Sequence, residues 1–208
     1  MMEIDLHDLG LKHSSDKANF HAFTYEYDKV LSHLRHEKID FLEVGILEGG
    51  SLRMWHEYFT NAIIHGVDLW DYSTMNSERM KTYIANQEDE VSLRALPKNF
   101  DVILDDGGHT MLQQQLTLKV LFTDHLKSGG LFILEDLHTS GPSYAHTHGS
   151  TETNNTLKLL YDLKDGKLSE DNDYYISVDD FNTLKSQIAE IVIITLGVHH
   201  ITSVIKKK

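Results

Sequence analysis

Residues 101–109 read Asp101-Val102-Ile103-Leu104-Asp105-Asp106-Gly107-Gly108-His109. A short apolar run that closes on two carboxylates, two glycines and a histidine has the form of a buried parallel strand handing polar groups to a loop. Similar runs ending in a carboxylate or its neighbour stand at 39–44, 63–68 and 131–135, each followed by a polar or helical stretch. Between them, 51–59 carries Leu52, Trp55 and Phe59 at helical spacing, and 110–125 carries Leu112, Leu116, Val120 and Leu121. A further strand is expected at 81–85, a short helix at 91–96 running to Pro97, and a helix at 154–163. The β-rich runs 188–195 and 201–206, separated by 196–200, read as an antiparallel pair. Strands alternating with helices predict an α/β, Rossmann-like, doubly wound sheet of seven strands, mostly parallel with an antiparallel C-terminal strand. Segments 11–28 and 137–153 read as irregular, the kind of stretch that forms lids and binding loops.

The rest of the composition narrows the function. The 208 residues carry 19 Lys+Arg against 32 Asp+Glu, a net charge of −13, and no cysteine. Such an acidic chain repels phosphate backbones and anionic membranes, so neither nucleic acid nor a lipid surface is an expected partner. Without cysteine there is no disulfide framework, thiolate metal site or thiol nucleophile, which fits a cytoplasmic protein. The first ten residues lack the basic and apolar regions of a signal peptide, and no apolar run approaches the ~20 residues of a membrane helix. Two prolines and no repeat mark no linker, so 1–208 is read as one domain, with a leader at 1–38 and a core at 39–206. The Lys206-Lys207-Lys208 tail reads as a solvated end.

In open parallel sheets, ligands lie beyond the carboxyl ends of the strands. The first strand leads through Glu43-Val44-Gly45-Ile46-Leu47-Glu48-Gly49-Gly50-Ser51 into a helix, where Gly45, Gly49 and Gly50 would let a ligand approach the backbone. It lacks the G-x-G-x-x-G spacing of a dinucleotide loop, and Glu43 disfavours pyrophosphate. Asp68, 19 residues after Gly49, is placed to accept two ribose hydroxyls. An acid-opened glycine loop with a ribose carboxylate suits S-adenosylmethionine better than NAD. Asp106 and Glu135 are 29 residues apart, one strand–helix–strand unit, which sets Asp106, Glu135 and Asp136 on neighbouring strand ends roughly 5 Å apart. Clustered carboxylates need a cation, and an all-oxygen set prefers Mg²⁺, Mn²⁺ or Ca²⁺. His109, three residues after Asp106, is the candidate general base. The competing reading of both groups is ordinary turn and helix-cap residues.

The segments Phe41-Leu42-Glu43-Val44-Gly45 through Gly49-Gly50-Ser51-Leu52-Arg53-Met54-Trp55, 101–109, and Gly129-Gly130-Leu131-Phe132-Ile133-Leu134-Glu135-Asp136-Leu137-His138-Thr139-Ser140 resemble the metal-dependent class I methyltransferases. Among these the resemblance is to the macrolide-sugar O-methyltransferases of the macrocin and mycinamicin type, over about residues 10–206, with the cephalosporin-hydroxylase-like group more distant. It implies Mg²⁺ on Asp106, Glu135 and Asp136, His109 as base, and S-adenosylmethionine against Glu43, Gly45, Asp68 and Asp105; Gly49 and Ser51 of the glycine loop complete the candidate cofactor set. Asn86-Gln87-Glu88-Asp89 matches a family Asp-Gln-x-Asp stretch near the adenine, so Gln87 and Asp89 join that set, with Asn86 in place of the first acid. Ser15-Asp16-Lys17 with His21, Thr24 and Tyr27 resembles a leader folding over the cofactor; the N-terminal domain of the macrolide enzymes has no counterpart in this sequence.

The expected activity is O-methylation of a hydroxyl on a sugar or polyketide-like natural product, a small glycosylated acceptor. His138, two residues beyond Asp136, and Tyr144 are candidates for contacting it, whereas the other loop histidines read as surface groups. A metal-dependent hydrolase or oxygenase on the same carboxylates, and a non-catalytic cofactor-binding subunit, are the alternatives. A homo-oligomer is expected on the general habit of such domains.

Overall fold

The computed structural model describes residues 4–197 and 199–208; the first three residues and Val198 of the expected 196–200 turn lie outside the described residues. Chain contacts divide it into two units, Met1–Ile84 and Ala85–Lys208.

The first unit begins with three short helices, α1 (Leu6–Lys12), α2 (Asp16–Asn19) and α3 (Thr24–Leu31), where an irregular stretch was expected over 11–28. The Asp5 side chain accepts from the Asp8 N–H and caps α1, and α3 buries Thr24, Tyr27 and Leu31 at helical spacing. Helices this short carry too few apolar repeats to stand out in a sequence. Strands β1 (Asp40–Val44), β2 (Ile63–Asp68) and β3 (Met80–Ile84) follow in spatial order β3-β2-β1, all parallel, with α4 (Gly50–Tyr58) between β1 and β2. The register sets Glu43 beside Gly66 and Val44 beside Val67. Trp55 of α4 is fully buried, its ring 5.0 Å from Phe41 of β1, 5.9 Å from Phe59 and 6.3 Å from Tyr27 of α3. This aromatic cluster fixes the helix against the strand and so fixes the loop between them.

The second unit runs through α5 (Glu90–Arg94), β4 (Phe100–Asp105) and α6 (Met111–Thr117). A capping box of Thr110 and Gln113 starts α6, and a single π turn over Leu118–Phe122 continues it, filling most of the expected 110–125 helix. Strand β5 (Leu126–Leu134) starts before the expected residue 131 because Leu126 already pairs with Phe100, ahead of a bulge over Lys127–Gly130 that shifts the register against β4. Residues 137–153, expected to be irregular, form two 3-10 turns, Leu137–Ser140 and Pro142–Tyr144, and α7 (Ala145–His148). They are tied down by the Ser150 hydroxyl donating to the Ser140 carbonyl and by the Leu157 N–H donating to the Ser140 hydroxyl. Helices α8 (Thr156–Asp165) and α9 (Val178–Gln187) lead into β6 (Ile188–Thr195) and β7 (Ile201–Lys207). Helix α9 was not anticipated, although Ser177 and Asp180 form a capping box at its start. Strand β5 pairs parallel with β4 and antiparallel with β7, and β7 pairs antiparallel with β6, which supplies the mixed end expected of the seven strands. The C-terminal tail departs from the expected solvated end: Lys207 is buried and its Nζ donates to the carbonyls of Phe122, Thr123 and Leu126. Among the described residues no helix is long and apolar enough to cross a membrane.

His125 is buried beneath β4, its Nδ1 bonded to the Pro97 carbonyl, and burial holds its pKa below the ordinary 6.5. A folded-state value below the unfolded one means that the neutral ring stabilises the fold above pH 6.5 and that this contribution is lost as the pH falls further. His125→Gln should therefore lose less stability than the wild type between pH 7.5 and 5.5. Denaturant titrations at the two pH values check this, and equal losses would refute it.

Candidate functional site

In the first unit, the loop from Gly45 to Gly50 runs between β1 and α4, with Leu47 and Gly49 at φ +50° and +72°. Glycine at position 49 suits a helix entry in the left-handed region, which side chains adopt only under strain. Glu43, at the end of β1, is fully buried. Its Oε2 accepts from the Ser51 hydroxyl at 2.9 Å, and its Oε1 lies 3.3 Å from Nζ of Lys17, itself fully buried in α2. The carboxylate expected to meet a ligand thus also anchors the leader helix, and a buried ion pair of this kind is costly to break. Asp68 Oδ2 accepts from the Ile46 N–H at 2.9 Å and its Oδ1 from the Trp70 N–H at 3.1 Å. Glu43, Gly45, Gly49, Ser51 and Asp68 therefore lie on one hydrogen-bonded frame built from β1, its loop and the end of β2.

In the second unit, the apolar run of β4 delivers Asp105 into the interior, 1% exposed. Gln87 Nε2 donates to its Oδ1 at 2.7 Å, the Gly107 N–H reaches the same oxygen at 3.3 Å, and the Thr117 hydroxyl donates to its Oδ2. Burial pushes this carboxyl up to about 6, against the Thr117 hydroxyl, the nearby His109 ring and the Gly107 N–H, which favour the charged form. Gln87 also accepts from the Gly108 N–H at 3.0 Å, so one amide side chain spans the strand end and the loop. Asp89 caps α5 by accepting from the Val91 N–H, the role of an ordinary turn residue.

Beyond Asp105 the chain turns sharply. Neither His109 nor Asp136 is glycine, yet both sit in the left-handed region, at φ +59° and +54°. Such residues recur where surrounding structure holds a functional group in a strained pose. The result is a cluster of three: one ligand atom each from Asp106, His109 and Asp136 lies within 4.8 Å of the others. His109 Nε2 is 3.3 Å from Asp136 Oδ2 and 3.8 Å from Asp106 Oδ1. The two carboxylates supply the oxygen donors that a hard divalent cation accepts, and the imidazole stands beside them. Glu135 does not join the cluster; it is 1% exposed, with its backbone N–H donating to the Asp105 carbonyl and its carbonyl accepting from Gln114 Nε2. His109, expected beside the carboxylates, has its Nε2 facing both of them.

Around Asp136 lies an aromatic group. His138 Nδ1 is 3.6 Å from Asp136 Oδ1, and its ring stands edge-on to Tyr144 at 5.2 Å and to His199 at 6.3 Å. Tyr144 in turn meets His148 at 5.4 Å. Burial, then the neighbouring His109, keep His148 below its ordinary pKa, with Asp136 opposing them. His148, a surface group on the sequence reading, is the last residue of α7 and follows Tyr144, the residue capping that helix, by four positions.

Gly107 is required by contact: a Cβ there would stand 2.2 Å from Gln87 Oε1. Gly107→Ala should cost about 1–3 kcal/mol of stability, and the cost should shrink in a Gln87→Ala background. Equal costs in the two backgrounds, measured by denaturant titration, would contradict the contact.

No protein-family model matches the chain. It is 34% identical over 169 residues, 76% of this chain and 44% of the relative, to the 8-demethyl-8-alpha-L-rhamnosyl tetracenomycin-C 2'-O-methyltransferase of Streptomyces olivaceus. It is 32% identical over 174 residues, 77% of this chain and 43% of the relative, to the mycinamicin VI 2''-O-methyltransferase of Micromonospora griseorubida. Among solved structures it superimposes on the MycE methyltransferase of the mycinamycin biosynthetic pathway in complex with Mg, SAH and mycinamycin VI, with TM-score 0.79, 25% identity, and 99% of this chain matched to 55% of that one. A second crystal form of MycE with Mg and SAH gives TM-score 0.81 at 25% identity, over 99% of this chain and 54% of that one. The chain spans about half the length of the relatives it matches. It is a homologue of the sugar O-methyltransferases of the macrocin and mycinamicin type, and it has their α/β class I methyltransferase fold, a seven-stranded mixed sheet.

Proposed function

We propose that this chain is a methyltransferase domain that uses S-adenosylmethionine and Mg²⁺ to methylate a hydroxyl on the sugar of a glycosylated, polyketide-like acceptor. The observation that carries the proposal is the Asp106–His109–Asp136 cluster, held by two left-handed residues where β4 and β5 end. The relatives support it: they are named as O-methyltransferases of sugar-bearing substrates, and the MycE structure holds Mg, SAH and mycinamycin VI. When bound, Mg²⁺ lowers the pKa of a hydroxyl that ligates it, and S-adenosylmethionine supplies the sulfonium methyl group.

Asp106 and Asp136 are the proposed metal carboxylates, and Glu135, the adjoining buried acid, is the proposed third. Manganese or calcium suits the same oxygen donors. His109 takes the acceptor hydroxyl proton, and Asp136, whose Oδ2 lies 3.3 Å from its Nε2, stabilises the ring once charged. As the O–H bond breaks toward His109, the oxygen forms its bond to the methyl carbon and the carbon–sulfur bond breaks. The proposed cofactor set is Glu43, Gly45, Gly49, Ser51 and Asp68 in the first unit, with Gln87, Asp89 and Asp105 in the second. Gln87 and Asp105 act there by shaping the 105–109 loop. Imidazole edges and a phenol suit a neutral, hydroxyl-rich ring, so the acceptor is assigned to His138 and Tyr144, with His148 and His199 beside them. A cytoplasmic location and homo-oligomeric assembly belong to the same proposal.

Calorimetric titration of S-adenosylmethionine, with Mg²⁺ and with EDTA, tests the reading. Cofactor binding is expected, together with a separate metal isotherm that Asp106→Asn abolishes; no cofactor binding under any condition would overturn the assignment. His109→Ala should lower turnover about 10²–10⁴-fold while cofactor affinity changes little. Full activity in that variant would remove the base.

A further inference from the structure

Two left-handed residues on separate loops need something to hold them in mutual register. Thr139 stands between them, 2% exposed. Its Oγ1 lies 2.8 Å from the Asp136 carbonyl and 3.1 Å from the His109 carbonyl, in donor geometry to each. The hydroxyl has one proton, shared between the two acceptors. The Asp136 carbonyl also accepts from the Thr139 N–H at 3.0 Å, so it keeps a donor when the hydroxyl turns to His109. What the hydroxyl adds is therefore the link to His109, thirty residues away along the chain.

That link acts on backbone at a sensitive point. The loop carrying His109 is held on its N-terminal side by Gln87, through the Gly108 N–H, and on its C-terminal side by Gln113 Oε1, which accepts from the Thr110 N–H. Between these clamps, the His109 carbonyl is where the β4 loop meets the β5 loop. A shift there would swing the imidazole away from the Asp136 carboxylate 3.3 Å from it. Thr139 has no side-chain atom suited to the chemistry and is almost fully buried, so its effect is exerted through its neighbours. Groups that orient metal ligands in this way typically change metal affinity or activity 10–100-fold when removed.

We infer that Thr139 is a positioning residue for the proposed reaction: its hydroxyl clasps the His109 and Asp136 carbonyls and sets the distance between the base and the metal carboxylate. The inference rests on the function proposed above, and its test separates the two. Thr139→Val keeps the shape and removes the hydroxyl; Thr139→Ser keeps the hydroxyl and removes the methyl group.

In the metal-free proteins, amide hydrogen exchange over residues 106–110 is expected to quicken in Thr139→Val and to stay at the wild-type rate in Thr139→Ser. Calorimetric titration with Mn²⁺ should show about 10-fold weaker binding in the valine variant. With an accepted substrate, kcat should fall about 10–100-fold at nearly unchanged KM for S-adenosylmethionine, and serine should restore both quantities. Unchanged exchange in Thr139→Val overturns the clasp whatever the metal does. Quickened exchange in both variants overturns it as well, because the methyl group rather than the hydroxyl would then hold the loop. Quickened exchange in valine alone, in a protein whose wild type binds no divalent ion, supports the clasp and refutes the proposed function.

Discussion

A carboxylate removed from water must be answered by donors, and Asp105 is where the second unit meets that demand. Its two oxygens draw in Gln87 from the turn before α5, Thr117 from α6 and the Gly107 N–H from the loop. Three stretches of chain are therefore bound to one strand end by a single ionisable group, and unanswered, it would cost several kcal/mol. Because Gln87 continues to the Gly108 N–H, the same network shapes the backbone that presents Asp106 and His109. Asp105 need touch no ligand to govern the site.

The first unit solves the same problem with charge. Glu43 is as deeply buried as Asp105, but it is answered by the Lys17 ammonium and the Ser51 hydroxyl. Aromatic packing of Trp55 against Phe41 and Tyr27 brings strand, helix and leader close enough for that pair to form. Both units thus place a buried acid at a strand end and use it to order the loop beyond. The difference is that one recruits a neutral amide and a hydroxyl, the other a cation from the leader.

Much of this was legible in the sequence, for identifiable reasons. Buried parallel strands are nearly continuous apolar runs, so β1, β2 and β4 stand out with boundaries close to those found, while β6 and β7 stand out as two β-rich runs either side of a short turn. Strand–helix–strand spacing was enough to bring Asp106, Glu135 and Asp136 to neighbouring strand ends. Glu135 illustrates the limit: that spacing does not say how each side chain is aimed. The left-handed turns at His109 and Asp136 were hidden because neither is glycine. The leader helices were hidden by their shortness, and the Lys17–Glu43 pair because lysine is seldom fully buried. Lys207 deceived for a related reason, since a terminal lysine run ordinarily lies in water.

The Lys17–Glu43 pair bears on where the chain can be cut. A shortened version starting anywhere after α2 would keep β1, α4 and the whole glycine loop, and would look complete by strand count. It would nonetheless strand the Glu43 carboxylate in an apolar interior without the ammonium beside it, a loss of the order of 3–5 kcal/mol. The smallest piece of the first unit that can be excised and still fold is thus decided by a lysine in a four-residue helix. Any fusion or chimera that borrows the sheet must borrow that helix with it.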